Sequence, residues 1–217
     1  SYGGGGGSDE TSQTLSYKIV AIPTFVTLFL SDGTTQVLAN NTLSLTQLQG
    51  LKYKTVADAN GSGNLVWTVQ DNGGTADGGN DTLTESLAIN VAAVNDAPVN
   101  TLPRTLTAYE DNTLVLQLSG AGIFSVRDVD AGMSPLQVTL LVSNGTLTMG
   151  TVAGLNFNVG DGTADSTMTF TGSLANINAA LATLSYRPSA SFVGSDILTA
   201  ATNDQGNTGI GGAKTDT

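Results

Sequence analysis

Apolar and polar residues alternate over short stretches through most of this chain. Leu15, Tyr17 and Ile19 share one side of an extended segment, as do Leu65, Trp67 and Val69, and again Leu87, Ile89 and Val91. The period of two returns at Leu114-Leu116-Leu118, Leu136-Val138-Leu140 and Met168-Phe170. Such alternation places every second side chain on one face of a strand. Turn signals separate the segments at Asp32-Gly33, Asn60-Gly61, Asn72-Gly73-Gly74, Asn144-Gly145 and Asp161-Gly162. Many short strands with regular turns predict antiparallel sandwiches rather than a parallel sheet with helices. One stretch departs from this rhythm. Leu174, Ile177, Leu181 and Leu184 fall at helical spacing and predict a short helix over 173–183, with Ser173 as its N-cap.

The chain also repeats itself. Leu51-Lys52-Tyr53-Lys54 returns as Leu184-Ser185-Tyr186-Arg187, an offset of 133. At the same offset Gly61 meets Gly194, Leu65 meets Leu198, Asp71 meets Asp204 and Gly73 meets Gly206. Earlier, Asp9 and Leu15 match Asp130 and Leu136 at an offset of 121, so the second copy carries 12 extra residues, expected in hairpins around 154–167. The register is out of phase with the ends. The first copy has no match to 99–129, and the second has none to 85–94. Two modules are therefore expected: 9–97, lacking its first strands, and 98–217, lacking its last, after a Gly-rich flexible segment at 1–8. Either the chain is a piece of a longer array, or the missing strands come from elsewhere.

A length of 217 residues suits two modules of about 100 residues each. The chain has no cysteine, so no disulfide supports it, and the redox compartment stays open. Eighteen acidic against 7 basic residues give a net charge of -11, which repels nucleic acid and anionic membranes. No run approaches the roughly 18 apolar residues that span a bilayer, so membrane insertion is not expected. Without histidine the commonest general base is absent, and without cysteine so is the thiol nucleophile. No Gly-x-Ser-x-Gly elbow appears either. An enzyme is not expected.

The acidic residues form a pattern. Asn95-Asp96-Ala97-Pro98 lies between the modules, followed by Glu110-Asp111-Asn112, then Asp128-Val129-Asp130-Ala131-Gly132, and later Asn203-Asp204-Gln205-Gly206. Asp-x-Asp puts two carboxylates on one side of an extended or turning segment, and the following Gly lets the backbone fold around an ion. Calcium takes six to eight hard oxygen ligands at about 2.3–2.6 Å, and carboxylates with carbonyls supply them. Carboxylates converging in a turn repel one another without a cation. Isolated Asp residues are different, and Asp32 and Asp161, each before Gly, read as turn residues, as does Asp165. The stretch 77–83 faintly echoes a calcium β-roll nonapeptide but occurs once, so it reads as a hairpin loop. Trp67 and Tyr53 alternate with polar residues and are expected in the core rather than on a carbohydrate platform.

The order of these motifs resembles the cadherin extracellular repeat, where an Asn/Asp linker ending in Pro precedes a Glu-Asn, an Asp-x-Asp-x-Gly and a late Ala-x-Asp-x-Gly. The junction Val94-Asn95-Asp96-Ala97-Pro98 is similar to that of cadherin-like repeats in very large bacterial surface proteins, including adhesins of type I secretion systems. The resemblance implies an all-β chain of two tandem antiparallel Greek-key sandwiches of the cadherin or immunoglobulin kind, with one short helix in the second. It implies calcium as the bound cofactor. Asn95, Asp96, Asp128, Asp130 and Asp204 would meet it at the junction, Glu110 would serve the far end, and Asp9 and Asp71 would occupy the top of the first module. Asn95 and Asp96 are swapped relative to cadherins and the Leu-Asp-Arg-Glu segment is missing, so one or two ions are expected rather than three.

The function so implied is a structural or adhesive repeat segment of an extracellular bacterial surface protein, secreted or at the cell surface and stiffened by calcium. Its partners would be neighbouring modules of the same or identical chains, with surface glycans or another cell beyond them. Two alternatives stand beside it. The chain could be a carbohydrate-binding module using loops such as 76–81, or a filament subunit in which chains complete each other's sheets by strand donation.

Overall fold

A computed structural model describes residues 13–75, 80–103, 105–116 and 124–217. The Gly-rich 1–8, Asp9, Leu118 and most of the 76–81 loop therefore lie outside the described residues. The chain divides into two compact units, Ser1–Ala93 and Val94–Thr217. The Asn95 N–H donates to the Ile210 carbonyl at 2.8 Å, so the residues of the Asn95-Asp96 motif pack with the second unit.

The first unit runs β1 (Leu15–Ala21), β2 (Val26–Phe29), β3 (Gln36–Val37), β4 (Thr42–Leu43), α1 (Leu45–Gln49), β5 (Lys52–Thr55), β6 (Gly61–Asp71) and β7 (Thr82–Val91). Two antiparallel sheets result, ordered β4-β1-β6-β7 and β3-β2-β5. The alternation explains how they meet. Tyr17, Ile19, Leu65, Val69 and Ile89 of one sheet and Val26, Leu28 and Val37 of the other form a single buried cluster. In the turn between β2 and β3, Asp32 Oδ1 accepts the Thr34 and Thr35 N–H groups, both at 2.8 Å. With the Thr35 hydroxyl as well, these donors hold the Asp32 carboxyl down to about 2.

The second unit runs β8 (Val99–Thr101), β9 (Leu114–Val115), β10 (Ser125–Arg127), β11 (Leu136–Leu141), β12 (Gly145–Thr148), β13 (Leu155–Val159), β14 (Thr167–Gly172), α2 (Leu174–Leu181), β15 (Ser185–Pro188), β16 (Thr199–Asn203) and β17 (Thr215–Asp216). Its sheets are ordered β13-β14-β11-β16-β17, β12-β15-β9 and β10-β8. Leu136, Val138, Leu140, Met168 and Phe170 are buried as the alternation predicts, against Leu147 and the inner side of α2 at Ile177 and Leu181. Ser173 caps α2, its side chain accepting from the Asn176 N–H. Among the described residues the fold is all-β with two short helices.

Three expectations change. First, helix is not confined to the second unit, because α1 occupies the first. Ser44 and Gln47 form a reciprocal capping box around it, which stabilises a turn that buries no residue of its own. Second, the extra residues of the second copy fall in two places. The two N-caps, Ser44 and Ser173, are offset by 129. Relative to the offsets of 121 and 133, eight extra residues therefore precede the helix and four lie within it and its exit. Third, Tyr53 is not in the core but 59% exposed. All four residues of β5 are exposed, whereas the equivalent β15 is covered on its outer edge by β9. The counterpart Tyr186 is accordingly half-buried, and its hydroxyl donates to Asp196 Oδ2 at 2.9 Å. Trp67 packs against the core from a half-buried position.

Candidate functional site

The acidic motifs of the second unit arrive from three directions. Asn95 and Asp96 precede β8, Asp128 and Asp130 follow β10, and Asp204 follows β16. A parallel bridge between Val94 and Ile210 brings the first of these beside the loop after Asp204. Two adjoining sets emerge, with different chemistry.

The first set is closed on itself. Asn95 is 1% exposed and Asp204 4%, and the Asn95 amide donates to Asp204 Oδ2 at 2.6 Å and to the Gly212 carbonyl at 2.9 Å. Asp204 Oδ1 accepts the Gly206 and Lys214 N–H groups, both at 2.8 Å. Gly206 sits at φ +67, and a Cβ there would lie 2.8 Å from the Ala213 nitrogen, so the turn requires glycine. Burial alone would push the Asp204 carboxyl up. The N–H groups of Lys214 and Gly206, the Asn95 amide and the Lys214 charge outweigh it and hold the group below its ordinary value. The Lys214 ammonium donates to the Asn95 carbonyl, so an internal cation already serves this set.

The second set is open. Asp128 Oδ1 accepts the N–H groups of Asp130 at 3.2 Å and Ala131 at 3.0 Å. Asp130 Oδ2 accepts the Asp96 N–H at 3.0 Å. The remaining oxygens, Asp128 Oδ2 and Asp130 Oδ1, are buried without a hydrogen-bond partner. Burial pushes the Asp128 carboxyl up, and the neighbouring Asp130 carboxyl adds to the shift, which the backbone donors offset only in part. Unpartnered buried carboxylate oxygens are costly. Among the described residues no group of three or more acidic side chains is placed to hold a metal alone. The hard oxygens of Asp128 and Asp130 nevertheless suit a calcium ion whose other ligands are carbonyls, water or Asp96.

Of the other expected ligands, Glu110 and Asp71 have local contacts of their own. Glu110 is exposed in a turn whose carbonyl accepts the Asn112 side chain at 3.1 Å. Asp71 ends β6 and accepts the Gly73 N–H at 2.8 Å, closing its own turn. Asp161 and Asp165 are likewise occupied by local N–H groups of their loop.

Lys214 and Asp196 were not singled out by the sequence. Asp196 gathers the N–H groups of Ser143, Asn144 and Ile197 together with the Tyr186 hydroxyl. Burial, then the bond to Asp196 and its charge, push Tyr186 up to about 12. A lone lysine in a Gly-rich loop was the available sign for Lys214, but only the fold shows what it touches. No protein-family model, curated protein or solved structure matches the chain.

Proposed function

We propose that this chain is a structural segment of an extracellular surface protein, built of cadherin-like Greek-key sandwich modules and stabilised by calcium. The cation would be held by Asp128 and Asp130, beside Asp96, where the connecting chain enters the second unit. The observation that carries this reading is the pair of buried, unpartnered carboxylate oxygens, Asp128 Oδ2 and Asp130 Oδ1. Leaving both charged and unpaired destabilises the fold, and a divalent cation is the simplest species that turns the cost into attraction.

The Asn95–Asp204–Lys214 set has a different part. It fixes the chain immediately after the boundary by hydrogen bonds to residues more than a hundred positions away. A cation next to that anchored segment would hold the Asp96 backbone through Asp130. Calcium then stiffens the direction in which the connecting chain leaves, which is the property an extended rod of modules needs. It acts by binding the ordered arrangement better than the frayed one.

Calorimetric titration of the chelator-treated protein with calcium tests the reading. The expected result is about one ion per chain, with magnesium much weaker because it demands tighter octahedral geometry. Absence of binding heat together with an unchanged melting temperature rules the reading out.

A further inference from the structure

Asp71 and Asp204 open equivalent hairpins. The Asp71 N–H donates to the Asp81 carbonyl at 3.0 Å, and the Asp204 N–H donates to the Lys214 carbonyl at 3.1 Å. The position across the hairpin is thus acidic in the first unit and a lysine in the second. The hairpin itself does not need the lysine, because Asp81 closes the first one. Its carboxylate accepts from the Gln70 side chain at 3.0 Å and from the Thr82 hydroxyl at 2.9 Å, both local partners. Lys214 instead reaches across 119 residues to the Asn95 carbonyl. A Cβ built on Gly211 would lie 3.9 Å from both the Asn95 Cβ and the Lys214 Cε, so the two side chains border one point. Asp204 joins them, holding the Asn95 amide at 2.6 Å through Oδ2 and the Lys214 N–H at 2.8 Å through Oδ1. A primary amine, a carboxamide and a carboxylate therefore meet, and the last two are buried.

We propose that Lys214 and Asn95 form an intramolecular amide cross-link, with Asp204 carrying the protons. Asp204 takes a proton from the Lys214 ammonium, and the freed lone pair adds to the Asn95 Cγ. That proton passes to Nδ2, the Cγ–Nδ2 bond breaks, and ammonia leaves. The attacking nitrogen loses its second proton through Asp204 to the ammonia, which departs as ammonium. One carbon–nitrogen bond forms and one breaks, Asp204 ends ionised, and nothing is oxidised or reduced. A lysine amine is a poor nucleophile until an adjacent base takes its proton, which is the place Asp204 holds. Confining amine and carboxamide in one site supplies the effective concentration that free groups lack. The Asn95 Cγ lies two bonds beyond the Cα of the residue whose carbonyl the amine already touches, within reach of rotations about the lysine's side-chain bonds. The link would close a long covalent loop and so restrict the unfolded chain, as a disulfide does in chains that have cysteine. It involves no calcium and stands or falls apart from the reading above.

The test is the intact mass of the purified full chain, fresh and after prolonged incubation at neutral pH, in chelator and in calcium. The expected result is a mass lower by one ammonia in both conditions, with a branched peptide joining Asn95 to Lys214 in the protease digest. Lys214→Arg keeps the charge but not the amine, and should show the full mass. Asp204→Ala, with folding checked by circular dichroism, should lose most of the branched peptide. A parent chain that keeps its full mass through incubation overturns the proposal without recourse to any variant. Ammonia loss that persists in Lys214→Arg also overturns it, because an asparagine succinimide would then be the source. Undiminished branched peptide in Asp204→Ala would overturn the role given to Asp204.

Discussion

The Asn95 side-chain amide donates to Asp204 Oδ2 at 2.6 Å across 109 residues of sequence, and both side chains are buried. This bond ties the chain next to the unit boundary to the loop that follows β16. Removing the donor leaves a buried carboxylate short of one partner. Asn95→Ala should therefore cost the second unit about 1.5–3 kcal/mol, as bonds to charged groups do. Urea unfolding of the variant against the parent measures it. A change within about 0.5 kcal/mol, the range of an ordinary surface substitution, would contradict the anchor.

Asp128 and Asp130 predict an effect of opposite sign. Without a divalent cation, Asp128→Asn removes one of two mutually repelling charges, and the second unit should melt at the same or a higher temperature. With calcium present the same substitution should melt lower than the parent. Thermal melts of both proteins in both conditions give the four values needed.

The pH dependence follows from the same groups. The Asp128 carboxyl lies above 3.8 in the fold. Its protonated form stabilises the fold fully below 3.8, and that contribution is lost as pH rises through the raised value. Asp204 and Asp196 lie below 3.8, so their contributions are present above 3.8 and lost as pH falls through the lowered values. In chelator, the stability of the second unit should rise as pH falls through the raised Asp128 value toward 3.8, then decline as pH falls through the lowered values of Asp204 and Asp196. Asp128→Asn should flatten the rise and keep the decline, which a series of melts across that range checks.

Each unit has its own buried cluster, so core substitutions should act locally. Phe170→Ala should destabilise the second unit by about 3–5 kcal/mol and Ile19→Ala the first by about 2–5 kcal/mol. Loss of the helix caps is smaller. Ser173→Ala and Ser44→Ala should each cost about 1 kcal/mol in their own unit. Hydrogen exchange resolves the two units, and a substitution that loosens both equally would contradict their separate cores.

The strands were legible wherever alternation coincided with burial on one face, as at Leu136-Val138-Leu140 and Met168-Phe170. Alternation alone misjudged Leu87, which is 55% exposed because β7 is an edge strand. The helix α2 was legible because Ile177 and Leu181 face the core, whereas α1 is five residues long and fully buries none of them. Its signs were the Ser44–Gln47 pair and the spacing of Leu45 and Leu48, of which Leu48 packs against the core. The acidic motifs located the loops of the second unit but not their division. Which carboxylates are occupied and which are left open depends on Lys214 and on backbone N–H groups, whose positions no residue pattern encodes. Tyr53 and Tyr186 hold the same place in the repeat, yet the β9 edge makes one half-buried and leaves the other exposed.

The central claim is that a cation relieves the Asp128–Asp130 pair. Its most direct measurement is the melting temperature of the second unit in chelator and in calcium at about 100 times the dissociation constant. Binding of one ion there contributes about 2.7 kcal/mol, which for a unit of this size raises the transition by roughly 10 °C. The account predicts that rise in the parent and its loss in the protein carrying Asp128→Asn with Asp130→Asn. An equal transition with and without calcium in the parent, or an equal rise in the double variant, would contradict it.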